Sequence, residues 1–168
     1  ASQQRARNLK MSFDEALARL LASARTVSEI RRLPTLAAAG RVLARAQQAT
    51  VNAPLLDNSA MDGYALAVAD VPRLASRLPV SQRIPAGSVG TPLQPGTAAR
   101  IFTGAPIPAG ADAVVMQELC EHADDAVLIN HLPQVGEHIR RAGSDIAAGS
   151  EILPAGLRLR PQDTALAA

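Results

Sequence analysis

The sequence predicts an α+β chain that is mostly β, with a small β-barrel-like domain inserted into a helix-containing α/β domain. Three observations lead there. Near the N-terminus, apolar residues recur at helical spacing behind a capping signal. From Pro79 onward, short apolar runs alternate with Gly and Pro. At the end, strand-like runs give way to a second helix start. The expected division is an arm over residues 1–11, a discontinuous helix-containing domain over 12–50 and 143–168, and a β-rich insert over 51–142.

Ser12-Phe13-Asp14-Glu15 reads as a capping box, with Ser12 at the cap and Glu15 reaching back. Phe13, Ala16, Leu17, Leu20, Leu21 and Ala24 follow at helical spacing and predict a buried stripe. Thr26 to Glu29 reads as a linker, and Pro34 stops any helix running through it. Leu36 to Arg45 reads as helical again, interrupted by Gly40, and Ala49 to Val51 as extended. The expected strands are Leu78 to Ile84, Ala98 to Thr103, Ala113 to Gln117, Ala126 to Asn130 and Glu137 to Arg140. Asp124-Asp125 suits a hairpin turn between two apolar runs. Ser150 to Leu153 and Leu157 to Leu159 suggest two more strands, joined by Pro154-Ala155-Gly156. The spacing suits a small barrel or sandwich. Pro161 opens a helix with acid in its first turn, and the pattern stops at Ala168, as expected of a piece of a longer protein.

Composition narrows the function classes. Hydrophobic residues make up 48% of the 168, yet aromatics are only 2%, so the core must be Ala, Leu, Val and Ile. Net charge is +2, and Lys10 is the only lysine. Arginine suits bidentate oxyanion recognition, although codon bias explains the composition equally. A basic N-terminal arm without aromatic platforms argues against nucleic acid. No apolar run approaches membrane-spanning length. Cys120 is alone, which excludes an internal disulfide and suits a reducing cytoplasm. His122, His131 and His138 form no metal-ligand pattern with the acids or with Cys120.

Four stretches could carry chemistry. Asp57-Asn58-Ser59-Ala60-Met61-Asp62-Gly63-Tyr64-Ala65 fits neither helical nor strand period and reads as a loop entering a strand. Gly63 would permit an unusual backbone conformation or the close approach of a ligand. The same residues also make an ordinary Asx-turn. Arg100-Ile101-Phe102-Thr103-Gly104-Ala105-Pro106 delivers Thr103 to a turn whose backbone amides could cradle an oxyanion, or is a plain strand end. Gly110-Ala111-Asp112-Ala113-Val114-Val115-Met116-Gln117-Glu118 holds core valines between two acids that suit a capped turn and a solvated strand end. Ile139-Arg140-Arg141, with Gly143 and Asp145, could bind phosphate or form a salt-bridged junction.

Together these stretches resemble the N-terminal region of the MoeA family, the molybdopterin molybdenumtransferases, to which gephyrin E domains are related. The similarity runs from about Ser12 to the end. The resemblance implies an enzyme that inserts molybdate into adenylylated molybdopterin, releases AMP and is assisted by Mg2+. It implies a pterin-binding α/β domain further along the whole protein, and a homodimer whose cleft joins this region to the pterin-binding domain of the other subunit. It also implies a cytoplasmic location and a partner protein that adenylylates molybdopterin, with no nucleic acid and no membrane. Carried over by residue, Asp62 and Thr103 are the implied catalytic positions, with Asp62 also holding the metal. Arg140, Asp145, Ser59 and Gly104 are the implied cofactor-binding positions. Leu56 stands where the family often has Phe, and Ala142 and Ser144 where it often has charge, which implies a less charged junction. A scaffold module of gephyrin type and a stand-alone oxyanion-binding domain are the alternative readings. Molybdenum and tungsten oxyanions are not separated by sequence, and none of these ligands is expected on the region alone.

Overall fold

Alternating small and branched residues in the middle of the chain build a six-stranded sheet. The computed structural model describes residues 11–168. The arm expected over residues 1–11 lies, apart from Met11, outside the described residues. The sheet runs in the order β6, β3, β5, β4, β8, β7, where β3 is Gly63–Leu66, β4 Ser76–Ile84, β5 Ala98–Ile101, β6 Ala113–Met116, β7 Cys120–Ala123 and β8 Ala126–Ile129. All its pairings are antiparallel except β4 with β5. β4 changes partner midway. Ser76 to Pro79 face β8, while Val80 to Ile84 face β5, with a register shift between Val80 and Gln82. An extra residue at such a point bends a strand.

Period-two alternation sends successive residues into two separate cores. Tyr64, Leu66, Leu78, Ala98, Val115, Val127 and Ile129 form one cluster. That cluster joins strands from β6 at one edge to β8 near the other, so the sheet curls around it. Ala65, Ile84, Ala99, Ile101 and Val114 face the other way and pack under Leu93 and Ala105 from the loops. The barrel expectation is met in part, because the sheet is a curled half-barrel whose edges β6 and β7 do not pair. Each of the large side chains at its centre, such as Ile101 and Val114, is fully buried. Burial of that kind contributes roughly 2 kcal/mol per side chain.

Outside the sheet, the segment 40–59 runs antiparallel to the segment 139–159 as a broken ribbon. Gly40 N–H donates to Leu159 O at 2.7 Å, Leu43 N–H to Leu157 O at 2.9 Å and Ala53 N–H to Ile146 O at 2.8 Å. Two short strand pairs lie within it. β1 (Gln47–Gln48) faces β10 (Glu151–Leu153), and β2 (Asn58–Ser59) faces β9 (Ile139–Arg140). This overturns the helix expected over Leu36 to Arg45. Only Thr35–Ala37 form a single 3-10 turn, Gly40 takes φ +78°, and Val42 bridges Arg158 instead. Good helix formers yielded to the hydrogen bonds offered by 157–159, as tertiary pairing often overrides propensity.

The chain divides between Pro34 and Thr35 into two compact units. The first holds α1 (Phe13–Ser23), capped as expected, with Ser12 Oγ accepting from Glu15 N–H and Glu15 Oε2 accepting from Ser12 N–H. Its stripe is not buried as expected. Phe13 is 80% exposed and Leu20 69%, because no second regular element lies beside α1 among the described residues of its unit. At the other end, α2 (Pro161–Leu166) carries Asp163 in its first turn, whose carboxylate accepts from the Arg160 backbone N–H and guanidinium and has its pKa lowered to about 2 by them. Among the described residues no helix is long and apolar enough to cross a membrane.

Candidate active site

The loop between β2 and β3 is shaped by short polar side chains. Ser59 Oγ donates to Met61 O at 2.6 Å and accepts from Met61 N–H at 3.3 Å, closing a tight turn. The turn delivers Asp62 to the start of β3. There Gly63 does not adopt the unusual conformation expected of it. An added Cβ would lie 2.0 Å from Val115 O, so glycine lets β6 approach, and its φ is not in the left-handed region.

β5 runs antiparallel to β3, with Ile101 opposite Gly63, so the chain leaving β5 passes Asp62. The Asp62 Oδ1 accepts from the Thr103 N–H at 2.8 Å and from the Thr103 hydroxyl at 2.7 Å. Those two bonds, with a smaller contribution from the Arg100 charge, hold the Asp62 carboxyl below its ordinary range. Asp62 Oδ2 receives no hydrogen bond from the described residues. The corner therefore presents one free carboxylate oxygen beside an exposed threonine hydroxyl.

The expected cradle of amides after Thr103 is absent. Gly104 turns with φ +82°, and its N–H donates to Ser59 O at 2.8 Å. Ala105 N–H donates to Phe102 O at 2.9 Å, and Thr103 N–H is spent on Asp62. Each of these amides has a partner within the chain, and Gly104 shapes the turn. Ser59 is 1% exposed and its hydroxyl donates to Met61 O.

Arg140 and Asp145 meet each other, at 2.7 Å, and not the Asp62 corner. Arg140 stands opposite Asn58, and Thr103 leads into the turn on the other side of the same strand, where Ser59 N–H donates to Ala105 O at 2.9 Å. Beside Arg140, Asp57 binds Arg141 Nη1 at 2.6 Å and the Ala142 N–H at 2.8 Å. The Ala142 amide first, then Arg141, holds the Asp57 carboxyl low. This salt-bridged junction is the second of the two readings left open above.

Several polar residues escaped sequence reading. Arg100 contacts Gly63 O, Ile101 O and Gln117 Oε1. Glu137 gathers His131 Nε2 at 2.7 Å and His138 Nε2 at 3.6 Å. Burial pushes the Glu137 carboxyl up, but the Gln134 amide and the two imidazoles outweigh it and keep it low. No group of three or more His, Cys, Asp or Glu among the described residues could hold an ion. Asp112 Oδ1 accepts from Val68 N–H at 2.7 Å, which makes it a turn cap. Burial raises the Cys120 thiol to about 11, leaving it inert at neutral pH.

A cation held here would find one carboxylate oxygen. That suits a small hard ion that keeps most of its water and shares a substrate phosphate. It does not suit an all-protein cage.

Residues 11–168 match the family described as MoeA N-terminal region (domain I and II). Molybdopterin molybdenumtransferase 2 of Mycobacterium tuberculosis is 42% identical over 155 residues, covering 86% of this chain and 38% of that protein. The molybdopterin molybdenumtransferase of Nostoc is 44% identical over 137 residues, covering 79% and 31%. The crystal structure of the molybdopterin biosynthesis moeA protein from Pyrococcus horikoshii superposes with a TM-score of 0.82 at 34% identity, covering 91% of this chain and 42% of that one. The chain thus spans less than half the length of these relatives.

Proposed function

The chain belongs to the MoeA N-terminal region family, and from that premise we propose that it is the N-terminal part of a molybdopterin molybdenumtransferase. In this reading molybdate and adenylylated molybdopterin are the substrates, and the products are molybdenum cofactor and AMP. The observation that carries it is the Asp62–Thr103 corner, where a carboxylate keeps its charge and one free oxygen. Asp62 Oδ2 would hold Mg2+, which supplies positive charge to offset phosphate when bound. The Thr103 hydroxyl would orient an oxygen of molybdate or phosphate. Arg140, already paired with Asp145, would add charge at the edge of the cleft rather than bind directly.

We propose that a second wall facing the corner comes from the pterin-binding domain of the other subunit in a homodimer. Cytoplasmic location and a molybdopterin-adenylylating partner belong to the same proposal. So does the insertion of residues 51–142 into a domain made of 12–50 and 143–168. The pairing of Ala53 with Ile146, near the two ends of residues 51–142, supports that arrangement.

The test is molybdenum-cofactor synthesis by the complete protein, with this region intact or carrying Asp62→Asn or Thr103→Val. Loss of insertion with retained folding is expected. Undiminished insertion by both variants would remove the corner from the chemistry.

A further inference from the structure

Asp62 and Thr103 are each on a turn, and turns alone do not hold two side chains at 2.7 Å. Something must fix the strand ends that carry them. Tyr64 faces Arg100 across the β3–β5 pairing. The Arg100 Nη1 donates to Gly63 O at 2.8 Å and to Ile101 O at 3.2 Å, and its Nη2 donates to Gln117 Oε1. Gly63 is the residue after Asp62. Gln117 follows β6, and its N–H donates to the Asp62 carbonyl at 3.1 Å. One guanidinium thus ties β3, β5 and the end of β6 together around Asp62.

The same group lies over two rings. Its central carbon is 4.5 Å from the Phe102 ring centre and 5.3 Å from that of Tyr64. Phe102 immediately precedes Thr103, so stacking steers the second partner as hydrogen bonding steers the first. Arg100 makes no ion pair with a carboxylate among the described residues. Its donors and its flat face are left for these contacts. A flat fork with several donors does this, whereas the single ammonium of lysine cannot reach three acceptors and stack as well.

We propose that Arg100 is a positioning residue whose guanidinium sets the β3 and β5 ends so that Asp62 meets the Thr103 amide and hydroxyl. Its consequence for molybdenum insertion rests on the function proposed above, but its effect on the corner does not.

The experiment is done on the 168-residue chain by NMR. Exchange of the Thr103 amide proton is followed in Arg100→Met and Arg100→Lys, with the Val114 amide in the sheet as the measure of global stability. Thr103 exchange should quicken about tenfold in both variants, which is the loss of roughly one hydrogen bond's stabilisation. Val114 exchange should stay as it was. A folded Arg100→Met chain with unaltered Thr103 exchange overturns the proposal. If Arg100→Met does not fold, Gln117→Ala removes one acceptor alone. It should quicken Thr103 exchange by a smaller factor, and no change there is equally fatal. In the complete protein, Arg100→Lys should lower kcat with little change in KM. If insertion is indifferent even to Asp62→Asn, the functional reading fails while the NMR result still decides the role of Arg100.

Discussion

Asp57 and Asp62 flank β2 and the turn after it, and each accepts two hydrogen bonds, yet their surroundings differ in kind. Asp57 is met by a guanidinium and an amide, and its two oxygens are both engaged. Asp62 is met by an amide and a hydroxyl, both on one oxygen. Where the partner is charged, the carboxylate is neutralised and becomes a fastener. Where the partners are neutral, the negative charge survives and can be offered to a ligand. The Asp57 junction joins distant segments, and the Asp62 corner keeps something in reserve.

The largest effect should come from Gly63→Ala, which drives a methyl group into Val115 O. A loss of about 3 kcal/mol in urea denaturation is expected, since the backbone of β6 has to move. A normal midpoint would show that the corner is not held by this approach. Next, Asp62→Asn in the complete protein should cut molybdenum insertion about 100-fold, and Thr103→Val about tenfold, with unchanged circular dichroism. At the junction the pattern should reverse. Asp57→Ala should destabilise by about 1.5 kcal/mol and reduce insertion far less than Asp62→Asn. Equal losses of insertion at the two aspartates would erase the distinction between them.

Acid should weaken the fold for a stated reason. The Asp57, Asp62 and Glu137 carboxyls all have folded pKa values below their ordinary ones. Below about pH 4 the unfolded chain binds more protons than the folded one. The stabilisation is therefore complete above that range and is lost as pH falls through the lowered values. Urea midpoints measured from pH 6 down to pH 2 should fall, and less steeply in Asp57→Asn. The smallest effect should be Arg140→Gln, whose ion pair is half exposed. A change of about 0.5 kcal/mol or less is expected in the same assay.

Much of this was legible beforehand. The strands of the half-barrel showed themselves through branched residues between Gly and Pro, and Asp62 and Thr103 through motif. What escaped depended on partners far along the chain. Leu36 to Arg45 looked helical because Ala, Leu and Arg favour helices locally, and nothing nearby announced the 157–159 segment. β7 was missed because Glu121 and His122 face solvent and break the apolar run. β2 was missed because Asn and Ser are poor strand formers. The amides after Thr103 looked free because the carbonyl of Ser59, which takes one of them, lies in another motif.

The ribbon has a consequence for how the chain acquires its shape. During synthesis, Gln47 leaves the ribosome about a hundred residues before Leu153, the residue it finally meets. Its early segment must wait, unpaired, while everything between is made. The half-barrel can form in that interval, since every one of its partners is already at hand. The ribbon then closes last, as a clasp on a finished object, and the loop bearing Asp57 is shut with it.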